Sequence, residues 1–126
     1  MSHPMATILI VDDSRFMRLA LKAIVEAAGY DVVGEARNGN DAIKLYRELN
    51  PTVITLDIMM ESMDGFAALK VLMQEVPKPT VVIISAHKNT TTVANAKALG
   101  AAGFINKPFN PQDITRTIKR VCAQRA

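Results

Sequence analysis

The chain has no tryptophan, a single cysteine and few aromatic residues of any kind, 5% of the total. One cysteine cannot close an internal disulfide, which fits a reducing cytoplasm. No apolar stretch approaches the roughly 18 residues that a membrane span needs. The opening Met1-Ser2-His3-Pro4-Met5 lacks a basic region followed by an apolar one. It therefore reads as part of a loose tail, residues 1–6, and not as a signal peptide. The two histidines, His3 and His87, are far apart and read as surface residues, so no Cys/His set for zinc is present. Acid is scarce in one region: residues 76–126 carry Asp113 against eight Lys/Arg, a balance of +7. Residues 1–75 carry eleven Asp/Glu against seven Lys/Arg, a balance of −4. The overall +3 therefore conceals a basic C-terminal surface, which bears on partners.

What is present suffices for one domain with a real core: 126 residues, 49% hydrophobic and 21% charged. Three aliphatic runs each stop on polar residues. Ile8-Leu9-Ile10-Val11 meets Asp12-Asp13, Val53-Ile54-Thr55-Leu56 meets Asp57, and Val81-Val82-Ile83-Ile84 meets Ser85. A fourth run, Gly103-Phe104-Ile105, leads through Asn106 to Lys107-Pro108. Continuous apolar runs of this length suit strands buried on both faces, as in parallel sheets.

Helical patterns fill the intervals. The first helix is expected over about 14–28, with Met17, Leu21, Ile24 and Ala28 as its buried stripe, Arg15, Arg18 and Lys22 on its wet side, and Gly29 as its stop. Asn38-Gly39 reads as a turn, with Asn40 or Asp41 capping a second helix to about Leu49. Further helices are expected from Asp64-Gly65 to about Glu75, from Thr90 to Leu99, and from Gln112 to Gln124 after Pro111. Cys122 joins Ile114, Ile118 and Val121 on the last stripe and reads as a small core residue. Five βα units in a row imply a doubly wound α/β fold, helices on both faces of a five-stranded parallel sheet in the flavodoxin-like order 2-1-3-4-5. Ligands of such sheets bind outside the carboxyl ends of the strands, at the switch point between strands 1 and 3.

That edge would gather Asp12, Asp13, Asp57, Ser85 and Lys107. Asp12-Asp13-Ser14 could instead be a helix cap with acids at the positive dipole end, but the other strand ends argue for a site. Like charges about 4 Å apart repel by roughly 4 kcal/mol at an effective dielectric near 20, so a cation is expected. An all-oxygen set with few protein groups suits Mg²⁺. Three carboxylates, one ammonium and the metal sum to zero charge, which leaves room for a dianionic phosphoryl group. Lys107 and the metal would face its oxygens, and Ser85 would donate a hydrogen bond. Asp57 is the candidate nucleophile, as in aspartyl-phosphate chemistry, with Asp12 and Asp13 better placed for the metal.

These residues, with Asp57 followed by Met60 and Met63-Asp64-Gly65, with Ser85-Ala86 and with Lys107-Pro108-Phe109, resemble the CheY-like receiver domain of two-component response regulators. The resemblance runs from Thr7 to Val121, within a domain at 7–126, and Val11-Asp12-Asp13-Ser14-Arg15-Phe16-Met17-Arg18 looks most like stand-alone chemotaxis members. It implies a phosphoacceptor switch, not an enzyme, that assists its own phosphorylation and dephosphorylation in the cytoplasm. Asp57 would take phosphate from a histidine kinase or a small phosphodonor. Asp12 or Asp13, Asp57 and the backbone carbonyl of Met59 would hold Mg²⁺. Ser85 would move to the phosphoryl group and Phe104 would swing inward, although a plain core aromatic is the simpler reading of Phe104. Lys107-Pro108 would be cis. Met59 and His87 would flank the hydrolytic water. Glu61 departs from the family's usual proline.

The expected output surface is helix 4, strand 5 and helix 5. Arg116, Lys119 and Arg120 share one face of the last helix, with Arg125 beyond, and Lys88 and Lys97 flank the fourth. A solvated basic face is the plain reading; docking of an acidic protein target is the functional one. No basic-aromatic stripe or recognition helix speaks for nucleic acid. The start of the fourth helix, Asn89-Thr90-Thr91-Thr92, is expected to be labile. Competing readings are a phosphorelay carrier serving a histidine phosphotransfer protein, a receiver cut from a longer regulator, a phosphatase with an aspartyl intermediate, and a flavodoxin-like cofactor binder. Met59, where a phosphatase would have a second acid, speaks against the third. Asp12-Asp13, which would repel a bare phosphate, speaks against the last.

Overall fold

The computed structural model describes residues 6–58, 65–86 and 90–124. Strands and helices alternate along them: β1 (Thr7–Val11), α1 (Arg15–Ala27), β2 (Asp31–Ala36), α2 (Gly39–Leu49), β3 (Val53–Asp57), α3 (Gly65–Leu72), β4 (Thr80–Ser85), α4 (Thr90–Leu99), β5 (Gly103–Asn106) and α5 (Pro111–Gln124). The strands form one parallel sheet in the order β2-β1-β3-β4-β5.

Alternation along each strand splits the core into two layers. Leu9, Val11, Ile54, Leu56, Val81 and Ile83 meet Ala42, Tyr46, Leu69, Leu72 and Ala96 from α2, α3 and α4. Ile8, Ile10, Val53, Val82, Ile84 and Ile105 meet Leu21, Val25, Ile114, Ile118 and Val121 from α1 and α5. β1, β3 and β4 are therefore aliphatic on both sides, and their polar residues lie at their ends. Thr55 is the exception: its hydroxyl is buried and has no hydrogen-bond partner among the described residues.

One irregularity positions the site. Ile8 pairs with Val32 but Leu9 pairs with Gly34, so Val33 is an extra residue on β2. A one-residue bulge moves every later side chain to the opposite face. Gly34 and Ala36 then face the α2 layer, and Glu35, opposite Ile10, faces α1.

Several boundaries differ from expectation. Asn38, not Asn40 or Asp41, caps α2: its Oδ1 accepts the Asp41 N–H at 2.8 Å. α3 ends at Leu72; beyond it Gln74 and Glu75 donate to Val71 and Leu72, a tighter i→i+3 pattern that leads out of the helix. On α1 the buried residues are Leu21 and Val25, whereas Met17 and Ile24 are half-buried and Ala28 is exposed. Gly29 does stop that helix, at φ 96°. Cys122 is half-buried against the α1/α5 layer, beside the buried Ile114, Ile118 and Val121.

Candidate functional site

At the carboxyl edge of the sheet, β1 and β3 lie side by side while their crossovers diverge. Asp12 follows β1 and Asp57 ends β3; both are buried, at 1% and 5% exposure. Asp13 is exposed. The carboxylate oxygens of Asp12, Asp13 and Asp57 come within 4.8 Å of one another. The expected acidic cluster is thus assembled, and its all-oxygen donors fit a hard divalent cation.

Asp12 is held at four points. Its N–H donates to the Ala36 carbonyl at 3.0 Å. Its Oδ1 accepts the Ser14 N–H at 2.9 Å, and its Oδ2 accepts the Lys107 ammonium at 2.8 Å. Its carbonyl accepts the Arg18 guanidinium at 2.6 Å. Asp13 has no hydrogen bond or ion pair among the described residues, so its oxygens are the ones left for a ligand. The helix-cap reading is also satisfied, by Ser14: its Oγ accepts the Met17 N–H.

Lys107 enters from the end of β5, where its N–H donates to the Ser85 carbonyl at 2.8 Å. Its ammonium spans Asp12 and Asp57, the latter at 3.4 Å. Burial pulls its pKa down, but the hydrogen bond to Asp12 and the charges of Asp57 and Asp12 outweigh that, and the net shift is upward from 10.5. The Lys107-Pro108 bond is cis. Ser85 is buried at the end of β4. Phe104 is half-buried against the α2/α3/α4 layer. A cavity of about 10 Å³ lies between Ser85, Thr92, Val93 and Phe104, too small to admit a ring without movement of its walls.

Gly65 opens α3 against the back of the acceptor strand. Its N–H donates to the Ile58 carbonyl at 2.6 Å. A Cβ there would strike the Asp57 carbonyl and the Ile58 backbone, so only glycine fits.

Met59 and His87 lie outside the described residues, as do Met60, Glu61, Met63, Asp64, Lys88, Asn89 and Arg125. Arg116, Lys119 and Arg120 are exposed on α5, and Lys97 on α4; Arg116 pairs with Asp113 at 3.4 Å. Arg18, expected on the wet side of α1, instead has a side chain only 13% exposed, pinned by Glu35 at 3.1 Å. The doubled valine Val32-Val33, which breaks strict alternation in β2, was the available signal. No helix among the described residues is long and apolar enough to cross a membrane.

Residues 8–119 match the response regulator receiver domain. The chemotaxis protein CheY of Thermotoga maritima is 42% identical over 114 residues, 90% of this chain and 95% of that one. A protein-glutamate methylesterase/protein-glutamine glutaminase of Halalkalibacterium halodurans is 45% identical over 106 residues, 82% of this chain but 31% of the larger protein. The crystal structure of Vibrio cholerae chemotaxis protein CheY4 superposes with a TM-score of 0.87 at 30% identity, over 93% of this chain and 98% of that one. With a match of that span on a sheet of this order, the chain belongs to the response regulator receiver family.

Proposed function

We propose that this protein is a phosphoacceptor switch in a chemotaxis-type signalling system, with its receiver domain at residues 7–126. The observation that carries the reading is the Lys107 ammonium, brought from β5 to bridge Asp12 and Asp57 at the ends of two other strands. An Asp57 carboxylate oxygen attacks the phosphorus of a phosphohistidine on a histidine kinase. The O–P bond forms, the P–N bond breaks, and its electron pair returns to the imidazole. Lys107 holds one phosphoryl oxygen, and Ser85 donates to another. Asp13, Asp12 and Asp57, with the Met59 carbonyl, would hold Mg²⁺, which when bound offsets charge on the phosphoryl oxygens. Met59 and His87 would flank the water that later hydrolyses the acyl phosphate.

Once Ser85 moves toward the phosphoryl group, the cavity beside it enlarges and Phe104 turns in. The surface of α4, β5 and α5 then changes affinity for a downstream protein. The exposed Arg116, Lys119 and Arg120 suit an acidic target. On this reading the protein works in the cytoplasm and is a switch that assists its own phosphorylation and dephosphorylation.

The test is intact-mass measurement after incubation with Mg²⁺ and acetyl phosphate. Wild type is expected to gain the mass of one phosphoryl group and Asp57→Asn none; an adduct that persists in Asp57→Asn refutes the assignment. A second reading, the receiver of a longer regulator, is favoured by the methylesterase relative, of which the matched segment is 31%.

A further inference from the structure

Resting on the metal-site reading above, we infer that Arg18 and Glu35 form a positioning pair that sets the affinity of the acidic pocket for its divalent cation. Asp13 carries the exposed carboxylate of the cluster, and no protein group restrains it among the described residues. Its direction therefore depends on its backbone. The peptide group between Asp12 and Asp13 is planar, so fixing the Asp12 carbonyl oxygen fixes the plane from which Asp13 departs. Arg18 makes that fixation, at 2.6 Å. Its guanidinium is itself held by Glu35 through Nε, at 3.1 Å. Glu35 can reach it only because the bulge at Val33 turns that end of β2 toward α1. A feature at the edge strand thereby orients a ligand at the switch point, as supporting hydrogen bonds do in metal sites generally.

Simple electrostatics gives the opposite sign and makes the inference testable. Arg18 is a cation close to the pocket, so by charge alone its removal should tighten binding of a divalent cation. Positioning requires that its removal weaken binding. The experiment is isothermal titration calorimetry of the full chain with Mg²⁺, alongside melting temperatures. Arg18→Met is expected to weaken Mg²⁺ about tenfold, and Glu35→Gln about threefold. Arg18→Lys, which keeps one donor for the Asp12 carbonyl, should recover part of the loss. Val25→Ala, which loosens the same helix without touching Asp12, should lower the melting temperature and leave Mg²⁺ affinity unchanged. Equal or tighter binding in Arg18→Met overturns the inference; should that variant not fold, wild-type affinity in both Glu35→Gln and Arg18→Lys overturns it. Asp13→Asn separates the two levels. If it binds Mg²⁺ like wild type, the metal-site reading itself fails. If it loses Mg²⁺ while Arg18→Met does not, only the positioning role fails.

Discussion

Replacing Lys107 by methionine keeps an apolar stem and deletes one charge, so its effect can be worked from the site. The ammonium side chain is 17% exposed and lies 2.8 Å from Asp12 and 3.4 Å from Asp57. Without it, carboxylates whose oxygens approach within 4.8 Å lose their bridging cation. At an effective dielectric of 20, two unit charges at that spacing repel by about 3.5 kcal/mol. Protonation bounds the cost: a carboxylic acid with an ordinary pKa near 4 takes up a proton at pH 7 for about 4 kcal/mol. The expected loss of stability in metal-free buffer is therefore about 2–4 kcal/mol. The gap should shrink by half or more in saturating Mg²⁺, because the metal supplies the missing charge. It should also close at alkaline pH. Lys107 has its pKa raised above 10.5 in the folded protein. Its contribution is thus complete below pH 10.5 and is lost as pH rises through the folded value. The assay is urea denaturation of wild type and Lys107→Met with chelator or Mg²⁺, across pH. A metal-free gap under about 1 kcal/mol, the scale of an exposed ion pair, would refute the reasoning. So would a gap indifferent to Mg²⁺.

Other outcomes follow from single features. Thr55→Val should stabilise the protein by about 1 kcal/mol in the same denaturation assay, because it removes a buried hydroxyl with no described partner. Gly65→Ala should cost about 1–3 kcal/mol and slow acetyl phosphate labelling of Asp57, since its methyl group meets the acceptor's own backbone. Amide exchange in the first turn of α4 should be faster than in α1: Ala96 is the one buried residue described on α4, whereas Leu21 and Val25 anchor α1. Equal protection would show that packing elsewhere holds α4.

The strand order and most site positions were legible because aliphatic runs long enough for a twice-covered strand can end only where the sheet ends. Asp12, Asp57, Ser85 and Lys107 follow such runs, so their meeting was a matter of topology. The cap of α2 was less legible. Asn38-Gly39 serves equally as a turn and as an N-cap, since both use the asparagine oxygen to accept a nearby N–H. Arg18 was misread because helical periodicity assigns a long basic residue to solvent, and its actual partners are Asp12, just after β1, and Glu35 in β2. That contact depends on a pairing irregularity whose one local sign is the doubled valine Val32-Val33.

The pairing of β2 with β1 has a further consequence, for which changes this strand can survive. What matters beyond residue 33 is the register against β1. Val33→Thr or Val33→Ala keeps the count and should preserve both faces of the strand's end. Deleting the residue would remove the bulge and leave Gly34 opposite Leu9 and Glu35 opposite Ile10, whereas a second inserted residue paired without a further bulge would send Gly34 toward α1 and Glu35 into the aliphatic layer lined by Leu9, Leu45 and Leu49. An edge strand usually tolerates length changes better than its central neighbours, and here the tolerance has one sign: the extra residue can be lost, because the regular strand that remains keeps the same faces.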